Sequence, residues 1–340
     1  MYRVLITGAN GVLGSALSKL FLKLGNDVSA IDIVREEECW RLRNLEIMDQ
    51  IQYNWKGSQD LTTEDLKGID LVIDCAIGFP DRPFGTSSPR ATVSANLAPA
   101  IGLLEAVRGS YEKPPIIYPS SFNSLYGNRG VYAETTAVAP TSIYGWTKTA
   151  VEQLYRTYHT SFGIPIIITR VGSGYGEMMR TDELVARLIY SALQKKIFKL
   201  KSPYSKRLWT YLGDVVDAYR AIIERSAYGH NERFFRDLKS TSFVLNIAGN
   251  AKDQILNNVE LSELISEIVG NPFEIRLLDY YEPGELIEGI PVDFSINAEF
   301  TRNLLRWKPS HTLVNGLGKT VNWFVENSNR VGIWNIYQKT

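Results

Sequence analysis

A tyrosine and a lysine four positions apart are the pair in this chain best suited to proton transfer. Tyr144 and Lys148 stand in the segment Tyr-Gly-Trp-Thr-Lys, and on a helix this spacing puts both side chains on one face. A lysine ammonium close to a phenol stabilises the phenolate and lowers the phenol pKa toward neutrality, as a general acid or base requires. Because a Tyr-x-x-x-Lys segment also arises by chance, the pair indicates catalysis only together with other features.

A glycine-rich segment near the N-terminus is one such feature. Gly8, Gly11 and Gly14 are spaced three apart, directly after an apolar run and before a helical stripe of apolar residues. Glycines at such a turn let the backbone approach a pyrophosphate, and the N-terminus of the following helix offers free N–H groups and a positive dipole. The alternative is an ordinary glycine-rich turn between a strand and a helix.

Polar side chains at the ends of two predicted strands extend this site. Asp32 ends the second strand, where a carboxylate accepts hydrogen bonds from the adenosine ribose and repels a 2′-phosphate, which favours NAD over NADP. Arg35 would weaken that preference, and the alternative for Asp32 is an acid that faces water. Ser120, Ser121 and Ser124 follow a later strand, where a hydroxyl either contacts a ligand or caps a helix.

Strand-like and helix-like segments alternate over residues 1–175 and would position these groups. Apolar strands are predicted at 2–7, 28–32, 71–76, 115–118 and 165–169, and amphipathic helices after Gly11, over 96–108 and over 144–162. This alternation favours an α/β fold with a doubly wound parallel sheet. We predict a first domain over 1–175, which 208–248 rejoins. A smaller substrate-binding part would comprise 176–207, with a basic loop at 199–207, and 249–340.

Composition argues against several other classes of protein. The 340 residues carry 37 basic and 37 acidic side chains, so neither nucleic acid nor an anionic membrane is expected as a partner. Two cysteines and three scattered histidines predict neither a disulfide scaffold nor a metal site. No apolar run reaches the roughly 18 residues of a membrane span, and Val4–Ile6 lacks the pattern of a signal peptide. We therefore expect a soluble, cytoplasmic protein.

Several motifs in order resemble the extended short-chain dehydrogenase/reductase family, in its NAD-dependent nucleotide-sugar epimerase/dehydratase branch. The run from Thr7 to Gly14 resembles the family's cofactor fingerprint, and Tyr144 with Lys148 matches its catalytic pair. Arg170 with Tyr175-Gly176 resembles a further family segment, and 207–214 resembles the segment whose arginine contacts the nucleotide diphosphate. The resemblance implies a Rossmann-like sheet, NAD as cofactor, a nucleotide-sugar substrate, and a homodimer built on the helices near 96–108 and 144–162.

The resemblance also implies roles for individual residues. The catalytic residues would be Tyr144, Lys148 and Ser121, with Lys148 also holding the nicotinamide ribose. The cofactor would contact the glycine turn, the end of the second strand, an acid-leucine pair, the loop after the 71–74 strand and a structural asparagine: Gly8, Asn10, Gly11, Val12, Leu13, Gly14, Asp32, Asp60, Leu61, Cys75, Ala76, Ile77, Asn96, Tyr144 and Lys148. The substrate would contact Ser121, Ser124, Tyr144, Ser173 and Arg207.

The chain departs from the family pattern at three places. Alignment from the strand side puts Ser121 at the catalytic hydroxyl, whereas alignment back from Tyr126-Gly127 puts Phe122 there. We prefer Ser121, because phenylalanine cannot hydrogen-bond a sugar oxygen, and Ser124 is the other candidate. Ser173 replaces the usual substrate-contacting asparagine. Glu282-Pro-Gly-Glu285 replaces an Arg-x-Gly-Asp segment, which removes one phosphate partner.

The residues after Ser121 distinguish among the reactions of the family. A 4,6-dehydratase needs an acid pair there to eliminate water, but this chain has Phe122 and Asn123, and the glutamate of the family's decarboxylases is also missing. The reaction class that is left is that of a 4-epimerase, in which a keto-sugar intermediate flips within the site and is reduced on its other face. The alternative enzyme is a ketoreductase of a sugar or another carbonyl compound. A dinucleotide-sensing regulatory protein is the contrasting class, although a sensor has no use for an activated phenol.

Overall fold

The computed structural model describes residues 1–78, 88–128, 130–201, 203–249, 255–278 and 294–327. The strands are β1 (Arg3–Thr7), β2 (Asp27–Asp32), β3 (Gln52–Trp55), β4 (Leu71–Asp74), β5 (Ile116–Ser121), β6 (Gly130–Tyr132), β7 (Ile166–Val171), β8 (Ser173–Tyr175), β9 (Phe198–Leu200), β10 (Lys206–Tyr211), β11 (Val244–Ile247), β12 (Ile255–Asn257), β13 (Ile275–Leu277) and β14 (Phe294–Ile296). The helices are α1 (Val12–Lys23), α2 (Trp40–Asn44), α3 (Pro89–Gly109), α4 (Ile143–Phe162), α5 (Leu184–Gln194), α6 (Leu212–Ser226), α7 (Glu232–Leu238), α8 (Asn258–Val269), α9 (Glu299–Leu305) and α10 (Leu313–Glu326).

The described residues form two compact units. The first comprises Met1–Val171, Val216–Ile247 and Asn297–Lys308, and the second comprises the described parts of 172–215, 248–296 and 309–327. In neither unit is any described helix both long enough and apolar enough to cross a membrane.

A seven-stranded sheet forms the centre of the first unit. Its strand order is β11-β7-β5-β4-β1-β2-β3, and all six neighbouring pairs are parallel. The predicted Rossmann-like, doubly wound fold is confirmed. The order of the strands reverses between β1 and β4, where Thr7 lies opposite Asp74. In sheets of this kind a ligand binds at the carboxyl ends of the strands beside such a reversal.

The central strands are apolar because both of their faces are covered. Val4–Ile6, Leu71–Ile73 and Ile166–Ile168 are all 2% exposed or less, as expected for inner strands of a parallel sheet. β3, by contrast, is an edge strand with mostly exposed side chains. The buried strands fix the position of their carboxyl ends, where the predicted site residues lie.

Helix α4 places the predicted catalytic pair in its first two turns. The helix begins after Ser142, whose side chain accepts a hydrogen bond from the Gly145 N–H at 3.0 Å. It ends at Gly163, which has a left-handed φ of 71°, the conformation that glycine adopts without strain at a helix end. Tyr144 and Lys148 belong to the buried stripe of this helix, so both side chains face the sheet.

The second unit has its own small sheet and apolar core. β10 pairs in parallel with β8 and antiparallel with β12, which puts Trp209 opposite Ser173 and Arg207 opposite Leu256. Tyr175, Trp209 and Tyr211 are buried together with apolar residues of α5, α8 and α10.

This arrangement corrects two of the boundaries expected from the sequence. Arg207 lies in strand β10, not in a basic loop, because the backbone of 206–211 is hydrogen-bonded to two neighbouring strands. The two units also differ from the predicted domains, because 172–175 and 208–215 belong to the second unit and 297–308 to the first. The acidic departure at Glu282–Glu285 lies outside the described residues.

Candidate active site

The glycine turn between β1 and α1 is shaped by close contacts that exclude a side chain. Gly8 has a φ of +61°, and a Cβ atom there would lie 2.5 Å from the carbonyl oxygen of Cys75. A Cβ atom on Gly14 would lie 2.2 Å from the carbonyl oxygen of Gly8. Gly11 precedes α1 without any side-chain cap, so the first N–H groups of the helix, including those of Val12 and Leu13, remain for an external acceptor. A glycine-rich turn at the positive end of a helix dipole fits the pyrophosphate of a dinucleotide.

Asp32 lies at the end of β2, beside this turn. One carboxylate oxygen accepts a hydrogen bond from the Asn10 N–H at 2.8 Å, and the other accepts from the Val34 N–H at 3.1 Å. The residue is 8% exposed. A carboxylate offers about four acceptor positions, so Asp32 keeps capacity for ribose hydroxyls while it holds the turn. Arg35, the residue suspected of weakening the NAD preference, lies over the ring of Trp55 at 5.0 Å.

The side chain of Asn96 holds the loop after β4 by hydrogen bonds. The side-chain NH2 of this residue donates to the carbonyl oxygens of Gly78 at 2.9 Å and Thr92 at 2.8 Å. Asn96 thereby positions the loop that carries Cys75, Ala76 and Ile77, and this gives it an indirect part in the predicted cofactor site. Ile77 is 39% exposed, so an apolar side chain is presented at this edge of the sheet.

The predicted acid-leucine pair lies in a short 3₁₀ turn over Ser58–Asp60 and in the residue that follows it. The Asp60 carboxylate is exposed and accepts a hydrogen bond from the Gln59 amide at 3.0 Å, whereas Leu61 is buried. Helix α3 runs close to this turn, since a Cβ atom on Gly102 would lie 2.4 Å from the Cα atom of Gln59. The turn therefore packs against α3, the helix that also carries Asn96.

Lys148 lies in a buried pocket between α4 and β5. Its ammonium donates to the carbonyl oxygen of Pro119 at 2.8 Å and lies 4.6 Å from the centre of the Tyr118 ring. Burial lowers the pKa of Lys148 to about 8, against the opposing attraction of Asp74. Tyr144, one turn earlier, is 7% exposed, and its phenol is close enough to the Tyr118 phenol to contribute to the raised pKa of that group.

The turn after β5 presents Ser121 and buries its neighbours. The hydroxyl oxygen of Ser121 accepts hydrogen bonds from the Asn123 N–H at 3.2 Å and from the Asn123 side-chain NH2 at 2.9 Å. A Cβ atom on Gly145 would lie 2.6 Å from the Asn123 carbonyl oxygen. This turn therefore touches the first turn of α4, which brings Ser121 to the end of the helix that carries Tyr144.

The other three candidate residues at this turn, Ser120, Phe122 and Ser124, make different contacts. Ser124 is fully buried and donates to the carbonyl oxygen of Ser121 at 2.8 Å, so it shapes the turn, and its contact with substrate stays a prediction. Phe122 is 2% exposed and packs into the core, which is consistent with the alignment that places Ser121 at the catalytic hydroxyl. The hydroxyl of Ser120 points the other way and donates to Glu152 at 2.6 Å.

A buried ion pair behind this turn was not predicted. Arg170, on β7, donates from Nε and Nη2 to the two carboxylate oxygens of Glu152 at 3.1 and 2.8 Å, and both residues are at most 1% exposed. Arg170 was recognised as part of a family segment, but its partner was not. The signal was present in α4, since Glu152 lies four residues after Lys148 on the buried stripe of the helix.

The remaining predicted substrate residues, Ser173 and Arg207, lie in the second unit. Ser173 begins β8 and Arg207 lies in β10, and both side chains are partly exposed. Among the residues that the structure describes, no three His, Cys, Asp or Glu side chains come together as ligands for a metal ion.

Known proteins resemble this chain over most of its length. A sequence model of the NAD dependent epimerase/dehydratase family matches residues 4–235. The dTDP-glucose 4,6-dehydratase of Escherichia coli is 25% identical, over 97% of this chain and 94% of that protein. The crystal structure of UDP-glucuronic acid 4-epimerase from Bacillus cereus in complex with UDP-glucuronic acid and NAD has a TM-score of 0.79 at 24% identity, covering 95% and 99% of the two chains. For UDP-glucose 4-epimerase from Thermotoga maritima with UDP-glucose, the TM-score is 0.79 at 19% identity, with coverages of 96% and 100%.

The family match includes the residues that carry the predicted chemistry. The glycine turn, Asp32, Ser121 and the pair Tyr144 and Lys148 all lie within residues 4–235. The two solved structures establish the shared fold. The resemblance inferred from the motifs is confirmed, and NAD, the predicted cofactor, is confirmed as the cofactor of the family. This chain belongs to the NAD-dependent epimerase/dehydratase family.

Proposed function

We propose that this protein is an NAD-dependent epimerase of a nucleotide-activated sugar, which inverts C4 through a transient keto-sugar. The observation that carries the proposal is the turn after Ser121. Elimination of water would need a carboxyl group there to protonate the leaving hydroxyl, but Phe122 is buried in the core and the amide of Asn123 is bonded to Ser121. Although curated relatives are dehydratases, this turn favours a reaction that only moves hydrogen to and from the sugar.

The residues of the first unit supply the proton chemistry. Tyr144, as phenolate, removes the proton of the sugar hydroxyl and returns it when the ketone is reduced, and Lys148 stabilises the phenolate. Because the Ser121 oxygen already accepts two hydrogen bonds, its own O–H is left to donate to the same sugar oxygen. The glycine turn would hold the pyrophosphate of NAD, Asp32 its adenosine ribose and Lys148 its nicotinamide ribose. NAD, when bound, supplies a reversible acceptor for hydride.

A product analysis tests the reaction. Freshly purified protein should interconvert the C4 epimers of a nucleotide-sugar, followed by NMR over a panel of UDP- and dTDP-sugars, without added cofactor. Denaturing the same preparation should release NAD, because an epimerase returns its cofactor to the oxidised form within each turnover and can therefore keep it bound. A dehydrated 4-keto-6-deoxy product would make the protein a dehydratase, and turnover only with added reduced cofactor would make it a ketoreductase.

We also propose that the protein forms a homodimer through α3 and α4. These helices pack against each other in the first unit, yet they leave Ile101 43% and Phe162 40% exposed. Apolar side chains on adjacent helices favour burial against a second copy of the same surface. Light scattering at micromolar concentration should give twice the chain mass of 38.3 kDa. A monomer mass under those conditions would contradict the proposal.

Arg207 is proposed as an anchor for the diphosphate of the substrate. A guanidinium binds phosphate oxygens in bidentate fashion, which a lysine ammonium cannot imitate. Replacing Arg207 by alanine should weaken the binding of UDP or another nucleoside diphosphate by about 1.5–3 kcal/mol, the range for a hydrogen bond to a charged group. Calorimetric titration with a panel of nucleoside diphosphates measures this loss, and NAD affinity should stay unchanged.

Lys199→Ala is the matched control for Arg207→Ala. Lys199 is an exposed basic residue of β9 in the same unit, so its loss removes an equal charge without removing a guanidinium. Equal losses of diphosphate affinity in both variants would show that Arg207 contributes only its positive charge. If the wild-type protein bound none of the diphosphates, nucleotide-sugars would be excluded as substrates.

A further inference from the structure

A carboxylate with no part in the proton transfer described above lies buried at the end of β4. Asp74 is 2% exposed. One of its oxygens accepts a hydrogen bond from the Thr7 hydroxyl at 2.6 Å, and the other accepts from the Tyr155 hydroxyl at 2.6 Å. Burial keeps the pKa of Asp74 above its ordinary value, although the two hydroxyl groups, Lys148 and the backbone N–H of Ala76 act in the opposite direction. A buried carboxylate is costly unless it is bonded, and this one is held by two neutral donors.

The register of the sheet puts Asp74 beside the pocket of Lys148. Thr7 lies opposite Asp74, and Ile73 lies opposite Ile117, so the next residues, Asp74 and Tyr118, are neighbours on the face that α4 covers. The Tyr155 ring, whose hydroxyl binds Asp74, stacks on the Tyr118 ring with the centroids 4.9 Å apart. The Lys148 ammonium lies 4.6 Å from the centre of that same Tyr118 ring. Asp74 and Lys148 therefore contact the two rings of one stacked pair, Tyr155 and Tyr118, in a buried region where charges interact more strongly than in water.

The other ionisable groups that face Lys148 cannot replace Asp74. Glu152, on the same helix, has its charge matched by two guanidinium groups, those of Arg170 and Arg156. Burial raises the pKa of the Cys75 thiol and keeps it neutral. The phenols of Tyr118 and Tyr155 are neutral for the same reason, since burial raises both of their pKa values. Of the acidic groups that favour the ammonium form of Lys148, Asp74 has the largest effect.

We propose that Asp74 is a positioning residue of the active site: its carboxylate, fixed by Thr7 and Tyr155, keeps Lys148 in the ammonium form that Tyr144 needs. The part of this inference that concerns catalysis rests on the proposed function. The part that concerns the charge of Lys148 does not, because it follows from the contacts of the first unit alone.

The proposal predicts the direction of a pH effect. Lys148 loses its proton as the pH rises through its pKa, and the phenolate of Tyr144 then loses its stabilising charge, so the basic limb of the pH profile of kcat/KM follows Lys148. Asp74→Asn removes the negative charge and keeps the shape, so the pKa of Lys148 should fall. An opposite charge at close range shifts a pKa by roughly one to three pH units. The basic limb should accordingly move to lower pH by at least about one unit.

Two measurements separate this inference from the proposed function. The first is a 13C NMR titration of protein labelled at lysine Cε, without substrate, with Lys148→Met to assign the signal. The second is the pH profile of kcat/KM. Tyr155→Phe is a second variant, which keeps the stacked ring and removes one hydrogen bond to Asp74, so a smaller shift in the same direction is expected. Asp70→Asn is the control, because Asp70 is only partly buried and its carboxylate accepts a hydrogen bond from the backbone N–H of Arg3.

The outcomes are distinct. A lower midpoint for Lys148 in Asp74→Asn and Tyr155→Phe but not in Asp70→Asn, with the basic limb moved to match, is the expected result. An unchanged Lys148 midpoint in the first two variants would overturn the proposal, and a moved midpoint with an unmoved pH profile would overturn its catalytic part. If the midpoint moves in a protein that epimerises no sugar, the proposed function fails and the coupling of Asp74 to Lys148 stands.

Discussion

Replacing Tyr144 by phenylalanine should lower turnover by a factor on the order of 10²–10⁴, the usual contribution of a positioned general acid or base. The phenol of Tyr144 is the only group assigned to take up and return the proton of the sugar hydroxyl, and phenylalanine leaves nothing in its place. The ring itself is conserved in size, and Tyr144 is 7% exposed, so the packing of α4 against the sheet should persist. Turnover at saturating substrate and thermal unfolding measure the two effects separately.

Tyr158→Phe provides a matched control on the same helix. Tyr158 donates its hydroxyl to Glu105 at the exposed face of α3 and α4, away from the stripe that carries Tyr144. This variant should therefore turn over at the wild-type rate. A wild-type rate in Tyr144→Phe would refute the mechanism, and a loss of folding in that variant would show that the phenol is needed for packing.

The parts of the fold that depend on local sequence were predicted correctly. The glycine turn could be recognised because a strand, closely spaced glycines and an amphipathic helix follow one another within about twenty residues. The parallel sheet follows from the alternation of apolar strands and helices. The return of the chain to the sheet at β11, beside β7, falls within 208–248, the segment predicted to rejoin the first domain.

The contacts that depend on distant residues could not be predicted. Asp74 accepts a hydrogen bond from the hydroxyl of Tyr155, 81 residues away along the chain. The sequence around a buried acid at the end of a strand does not indicate which distant residue will bond it. Ser124 illustrates the same limit in a short segment. Its position after a strand left a ligand contact and a cap both open, and in the structure its hydroxyl donates to the backbone carbonyl of Ser121. Hydroxyl groups form either kind of bond, and only the path of the backbone decides between them.

Breaking the buried ion pair of Glu152 and Arg170 on one side only should strongly destabilise the first unit. Glu152 is fully buried and accepts hydrogen bonds from Arg170, from Arg156 at 3.2 Å and from Ser120 at 2.6 Å. Glu152→Gln keeps the shape but leaves the guanidinium of Arg170 buried without its counter-charge. Breaking a buried pair in this way costs about 3–5 kcal/mol, and urea unfolding should show a loss of that size.

Two further variants separate the cost of an unpaired charge from the loss of an ordinary contact. Glu105→Gln removes one partner of an exposed pair with Arg108 and should cost no more than about 1 kcal/mol. Adding Arg170→Met to Glu152→Gln removes the stranded charge and should restore part of the stability, because a buried pair replaced on both sides is often nearly neutral. A loss in Glu152→Gln as small as that in Glu105→Gln would contradict the assignment.

The pH dependence of unfolding gives an independent check on the same pair. Burial alone would raise the pKa of Glu152, but the hydrogen bonds and charge of Arg170 outweigh burial, and the pKa in the folded protein is lowered. A carboxyl whose folded pKa is lowered contributes its full stabilisation above its unfolded pKa and loses it as the pH falls through the folded value. The gap in unfolding free energy between wild type and Glu152→Gln should therefore be constant near neutral pH. It should close as the pH falls below the ordinary glutamate value of 4.5, and a gap that stays constant into strong acid would show that packing, and not charge, holds Glu152 in place.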